Sequence, residues 1–461
     1  MDEKIISFFN TRKERFVADL KRLVDVKSVR EAPLPGKPFG EGPAAALAEA
    51  TAVAAEHGFA VTDFDNYAGE IQFGSAPDLM LLAHLDVVSE GDGWTKQPYC
   101  MTEENGRLYG RGTTDDKGPA VACLYALEAA RELFGEPKTG VRLVLGCGEE
   151  TGSEDMEHYF SLREKLKYTL SPDADYPLIH LEKGRFAPSF SRPIGDPGSV
   201  IEINGGDTSN IVPGKANALI AGSVPEQRGA ILVEASHRTG ASFEVETEDG
   251  NTRIRCEGVS AHAASPEKGV NANTALLTLL TEIVEDCELK QAMQALLTMA
   301  PHGQTDGAGC GVKMSDEDSG ALTFNFGVLR FDGKTLSGGF DLRCPVCAAE
   351  TDVKGTVGNK LSGNGFSFDG DPAVTPAHYV SKDAPIVKEA LRVYEDYTGQ
   401  KGECLAIGGG TYVHGLEGGV AFGVEFPGTD YRIHGADEFA VTDELLLTAA
   451  MYTQIIKDLC Y

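Results

Sequence analysis

The sequence predicts an α/β protein: a domain built on a mixed, mostly parallel sheet, interrupted by an inserted α+β domain. Short continuous apolar runs at residues 79–83, 141–145 and 168–170 alternate with helical segments, the pattern of parallel strands buried on both faces. Near residues 182–198 the composition turns to Gly, Pro and Arg, and the stretches 242–246 and 253–258 alternate with period two, as antiparallel strands do. From about residue 379 the first signature returns. The simplest account is an outer domain over residues 1–185 and 378–461 that encloses a second over 186–377.

Each element follows from its own pattern. Residues 4–29 set Phe8, Phe9, Phe16, Leu20 and Leu23 at helical spacing among charges, which predicts one amphipathic helix. The Ala-rich stretch 42–56 predicts a second, stopped near Gly58. Residues 119–133 predict a third, with Pro119 at its first position. A helix over 386–397 and one apolar strand over 420–426 complete the outer domain.

Composition narrows the function. The 461 residues, 42% hydrophobic and 24% charged, suffice for two or three domains with large cores. Acidic residues outnumber basic ones by 70 to 41, a net charge of −29, with no polybasic tract, so nucleic acid and anionic membrane are excluded as partners. Residues 1–15 lack the apolar core of a secretory signal and no later run is long enough to span a bilayer, which predicts a soluble cytoplasmic protein. Ten scattered cysteines read as reduced thiols. Cys344 and Cys347 form a CxxC, half of a zinc site or a redox pair, but no second CxxC completes it and Pro345-Val346 continue an extended apolar stretch, so the pair reads as structural.

The chemistry gathers at strand ends, where open α/β sheets place ligands. The run 79–83 ends in His84-Leu85-Asp86. Residues 109–119, YGRGTTDDKGP, form a turn-rich loop feeding a helix, in which Asp115 and Asp116 either cap that helix or bind a cation. The run 141–145 ends in Gly146-Cys147-Gly148-Glu149-Glu150, the next in Ser171-Pro172-Asp173, and His434 follows the last strand. Crowded carboxylates are unfavourable unless solvated or neutralised, and a pair of divalent cations neutralises them. Imidazole and carboxylate donors without thiolate point to zinc, manganese or cobalt.

The ordered set HLD, GRGTTDDKGP, CGEETG, SPDADYP and IHGADEF, preceded by PFGEG at residues 38–42, resembles the M20 family of metallopeptidases, and within it the long, monomeric, PepV-like dipeptidase branch. The resemblance runs from residue 38 to residue 439 and implies a zinc-exopeptidase-like catalytic domain with an inserted lid. It implies two ions bridged by Asp115, one held also by His84 and Asp173, the other by Glu150 and His434. Glu149 is implied as general base, and then acid, toward a metal-bridging hydroxide, and Asp86 as the support of the His84 imidazole. A cis peptide after Asp115 is implied too.

In the inserted domain the resemblance implies that Asn210 and His262 hydrogen-bond the tetrahedral oxyanion and that Arg343 pairs with the terminal carboxylate of the substrate. Read from the residues alone, His262 is a surface histidine and Arg343 a solvated charge. The run Gly408-Gly409-Gly410 lacks the GK[ST] ending of a phosphate loop, and in the family this segment lies beside the substrate. His414 departs from the basic residue common there, which leaves the side-chain preference open. The expected function is a monomeric dipeptidase with two divalent ions, zinc foremost, acting on short unblocked peptides. An N-acyl amino acid hydrolase, an aminopeptidase on longer peptides and a silent metal-loaded binding protein are the alternatives, and the intact Glu149 argues against the last.

Overall fold

A computed structural model describes residues 1–222 and 229–461 of the chain. It divides into two compact units: Met1–Leu181, Tyr379–Leu405 and Gly410–Tyr461 form the first, and Glu182–His378 with Ala406–Gly409 the second.

The first unit is built on a mixed sheet. In spatial order seven of its nine strands are Thr62–Phe64, Ala68–Phe73, Val141–Gly146, Leu79–His84, Tyr168–Ser171, Gly419–Ala421 and Leu178–Glu182. The centre is parallel, with Leu79–His84 paired to both Val141–Gly146 and Tyr168–Ser171 and the latter to Gly419–Ala421. The margins are antiparallel, so the sheet is parallel only where its strands are buried on both faces. Strand side chains alternate between two cores. Leu79, Leu81 and Ala83 pack with residues of the helices Lys117–Phe134 and Thr442–Cys460, whereas Met80 and Leu82 pack with Met156 and Tyr159 of the helix Glu154–Leu162.

Three expectations need correction. The first amphipathic stretch is two helices, Glu3–Asn10 and Lys13–Val24. The Thr11 hydroxyl donates to the Phe8 carbonyl at 2.9 Å and the Arg12 N–H to Phe9 O at 3.0 Å, which closes the first helix locally. The third helix starts at Lys117, so Pro119 lies at its third position, still inside the first turn where a missing N–H costs nothing. The apolar stretch 420–426 is two short strands, Gly419–Ala421 and Val424–Glu425. Between them Gly423 takes φ +82°, and a Cβ there would meet the Tyr176 ring at 2.1 Å.

The second unit carries an antiparallel sheet ordered Ser242–Glu248, Asn251–Glu257, Lys215–Ile220, Val200–Gly205, Thr323–Phe331, Thr335–Cys344, Gly184–Phe186 and Val374–Thr375. The helices Ala272–Ile283 and Glu288–Met299 bury Leu276, Leu280, Leu289 and Leu296 in the same core as the strand residues Ile203, Ala218 and Ile254. All ten cysteines are free thiols; Cys344 ends a strand and Cys347 lies in the following 3-10 turn. No helix of the described residues is long and apolar enough to cross a membrane.

Candidate active site

Five chain segments of the first unit bring acids and imidazoles together. His84 is the last residue of its strand, Glu149 and Glu150 begin a 3-10 turn after Val141–Gly146, and Asp173 follows Tyr168–Ser171. Asp115 lies in the turn before Lys117–Phe134, joined to Asp116 by a cis peptide. His434, from the C-terminal part of the chain, adopts φ +60°, a left-handed conformation that a non-glycine residue holds only when its surroundings enforce it.

Asp115 is the hinge of the cluster. Its Oδ1 lies 2.9 Å from His84 Nε2 and its Oδ2 lies 2.8 Å from His434 Nε2. His84 Nε2 also lies 3.7 Å from Asp173 Oδ2, and His434 Nε2 lies 3.2 Å from Glu150 Oε1. Ligand atoms around one tetrahedral ion with bonds of about 2.0–2.1 Å stand about 3.3 Å apart, which these separations bracket. Two groups place one donor atom per residue within 4.8 Å of one another: His84, Asp115 and Glu150, and His84, Glu149 and Asp173. Glu149 can therefore offer its oxygen to an ion or to a water beside one.

The electrostatics ask for cations. Asp86, Asp115, Asp116, Glu149, Glu150 and Asp173 crowd together, and among the described residues no lysine or arginine makes an ion pair with any of them. Burial, then the charge of Asp173, pushes Glu149 well above the usual carboxylate range, and burial with Asp115 pushes Asp173 up to about 7. Burial with Asp115 raises Glu150, and burial with Asp173 raises Asp116. Burial would raise Asp115 as well, but His434 and His84 override it and hold that carboxyl below its ordinary value. His84 Nε2 is buried and, although 2.9 Å from Asp115 Oδ1, meets no acceptor at hydrogen-bonding angles. A buried nitrogen facing carboxylates, with hard oxygen donors around it, fits a divalent metal ion.

The turn that bears Glu149 and Glu150 is fixed through its backbone. Asp86 accepts from Glu149 N at 3.2 Å and Glu150 N at 3.1 Å. Asp155 Oδ2 accepts from Cys147 N and Gly148 N, both at 2.7 Å, and from the Tyr412 hydroxyl. Asp86 thus acts on His84 chiefly through its main chain: Nδ1 lies 2.9 Å from the Asp86 carbonyl oxygen and 3.4 Å from its carboxylate. Asp116 sits at the N-cap position but makes no cap hydrogen bond; its Oδ2 accepts from His84 N at 3.0 Å instead. Asp155 and Tyr412 have no spacing signal that sequence could expose. Arg111 and Glu438 lie inside motifs yet show their partnership, 2.6 Å apart and fully buried, only in three dimensions.

In the second unit the structure draws three expected residues onto one support. The strand pair Ile211–Val212 and Ala261–His262 sets Ile211 opposite His262, and Ala263 N donates to Asn210 O at 2.9 Å. Thr208 donates to Asn210 Oδ1, so the NH2 is the donor end of that amide. His262 Nδ1 accepts from Ala264 N at 3.2 Å, so in the neutral ring Nε2 carries the proton. Buried Arg343 donates through Nε to Asp341 Oδ1 at 2.6 Å and through Nη1 to Gly408 O at 2.7 Å. A Cβ on Gly408 would meet the Ala264 Cβ at 2.6 Å, so the glycine permits this approach.

Comparison with known proteins identifies the family. The family described as peptidase family M20/M25/M40 matches residues 80–458. "Putative dipeptidase YtjP" of Bacillus subtilis (strain 168) is 35% identical over 97% of this chain and 98% of its own length. The Beta-Ala-Xaa dipeptidase of Lactobacillus delbrueckii subsp. lactis is 32% identical over 100% of this chain and 99% of its own. The crystal structure of human carnosine dipeptidase 1 shares the fold, with a TM-score of 0.58 at 16% identity over 99% of this chain and 98% of that one. End-to-end relatives and a family match across most of its length therefore establish that the chain belongs to peptidase family M20/M25/M40, whose members are metallopeptidases.

Proposed function

We propose that the protein is a dipeptidase that cleaves short unblocked peptides with the help of two divalent ions, zinc foremost, with manganese and cobalt satisfying the same donors. The observation that carries this reading is the Asp115 carboxylate, whose two oxygens address His84 and His434 separately. His84, Asp115 and Asp173 would hold one ion and Asp115, Glu150 and His434 the other. Bound there, the ions would polarise the scissile carbonyl and acidify a water.

The chain supplies the remaining steps. Glu149 takes the proton of the attacking water on a carboxylate oxygen and returns it to the nitrogen of the departing amine. The Asn210 amide and the His262 Nε2–H donate to the oxyanion as charge develops on the former carbonyl oxygen. Arg343, with three of its five N–H groups engaged by Asp341 and Gly408, presents the other two to the C-terminal carboxylate of the substrate. The name of the Lactobacillus relative, a Beta-Ala-Xaa dipeptidase, supports a dipeptide substrate. The proposed working form is a cytoplasmic monomer.

The test is a panel of unblocked dipeptides, a tripeptide and N-acetyl amino acids offered to apo protein reconstituted with zinc or manganese. Metal-dependent cleavage of the dipeptides alone is expected. Cleavage of the acetylated compounds alone would move the assignment to an acyl-amino-acid hydrolase, and inactivity of the loaded protein would leave a binding protein.

A further inference from the structure

Glu438 is completely buried and belongs to none of the roles above. Its Oε2 pairs with Arg111 Nη1 at 2.6 Å. Its Oε1 accepts from three backbone N–H groups of the loop that carries the shared ligand: Gly112 at 2.9 Å, Thr114 at 3.1 Å and Asp115 at 3.4 Å. The main chain repeats the connection, with Gly110 N on Glu438 O at 3.0 Å and Thr114 Oγ1 on Phe439 O at 2.8 Å. Four residues upstream stands His434, in a segment where Arg432, His434 and Asp437 all have positive φ. The end of that segment next to Glu438 is held as well by Asp437, which accepts from Thr95 N at 2.8 Å and Lys96 N at 3.1 Å.

The other metal position rests on different supports. His84 and Asp173 stand at the ends of neighbouring parallel strands, and Asp116 ties the Asp115 turn to the His84 backbone. Loss of Glu438 therefore leaves the His84 side anchored and loosens Asp115 against His434, which now lie 2.8 Å apart. We infer that Glu438 is a positioning residue for the ion shared by Asp115, Glu150 and His434, joining two ligands more than three hundred residues apart in sequence into one frame. The inference rests on the two-ion reading proposed above.

Calorimetric titration of apo protein with manganese(II) tests it, after circular dichroism has shown each variant folded. Wild type should bind in two steps. Glu438→Gln should keep one step and weaken the other about 10- to 100-fold, the usual consequence of losing a group that orients a ligand. Because that variant leaves Arg111 buried beside a neutral amide, Arg111→Met/Glu438→Gln is titrated in parallel and should recover thermal stability without recovering the weakened step. Two unchanged steps, equal weakening of both, or recovery of the weakened step in the double variant would overturn the inference. A single step in the wild type would remove the two-ion reading, and this inference with it.

Discussion

Replacing Glu149 by glutamine separates its chemistry from its position. The turn is fixed by two carboxylates through four consecutive backbone N–H groups, Asp155 on Cys147 and Gly148 and Asp86 on Glu149 and Glu150. None of these bonds uses the Glu149 side chain, so an isosteric amide should stay where the acid was. What is lost is proton transfer, a factor of about 10²–10⁴ in kcat for general acid–base catalysis, or about 3–5 kcal/mol of barrier at 1.36 kcal/mol per tenfold. KM should change little. The assay is steady-state hydrolysis of an unblocked dipeptide, with bound metal counted by mass spectrometry on the same preparation. A variant with near-wild-type kcat would refute the role. A variant that binds one ion fewer would instead make Glu149 a ligand, as its grouping with His84 and Asp173 allows.

His262→Ala should lower kcat by about 10²–10³-fold with little rise in KM if its bond forms as the oxyanion does, and a change confined to KM would contradict that. Arg343→Lys loses the planar fork and should raise KM for dipeptides with a free C-terminus more than for their amides; equal losses on both would refute its carboxylate role. The buried set of His57, with Nε2 2.9 Å from Asp19 and Nδ1 3.0 Å from Glu128, governs stability against pH. Burial opposes the imidazolium, but the two carboxylates outweigh it and raise His57; burial likewise opposes both carboxylates, but His57, joined by Tyr125 and Arg15 at Asp19 and by Arg15 and Arg12 at Glu128, lowers them. The contribution of His57 is complete below about pH 6.5 and fades as pH rises through its raised value; that of the acids is complete above about pH 4.5 and fades as pH falls through their lowered values. His57→Phe leaves Asp19 with the Tyr125 hydroxyl at 2.7 Å and Glu128 with Arg15 at 3.1 Å, so it should cost less than the about 3–5 kcal/mol of a fully unpaired buried charge, with the loss in Tm largest between about pH 5 and 6.5. A loss of the same size from pH 4 to 9 would contradict this.

The gathering of His84, Glu149, Glu150 and Asp173 was legible because each follows a continuous apolar strand, and parallel pairing then brings those strand ends side by side, as Leu79–His84 does with Val141–Gly146; Asp115 and His434 lie in turns away from strand ends. The break at Thr11 was hidden because Phe8, Phe9, Phe16 and Leu20 keep one apolar face across it, so periodicity alone reads straight through. The break at Gly423 was hidden by a similar continuity, since Val420, Ala421, Phe422 and Val424 are all buried on either side of the turn. Glu438 and Asp155 escaped notice for another reason. They act on backbone N–H groups, which have no side-chain signature, and Glu438 meets its loop across 323 to 326 residues of chain. The role of Asp86 was legible in place but not in kind, because its carboxylate serves the Glu149 turn while its carbonyl serves His84.

That Asp115 is shared by two ions is tested most directly by anomalous diffraction from crystals of the zinc-loaded protein. Two peaks about 3.5–4 Å apart are expected, one beside His84 and Asp173, the other beside Glu150 and His434, with Asp115 between them. A single peak enclosed by His84, Asp115 and Glu150 would contradict the two-ion site.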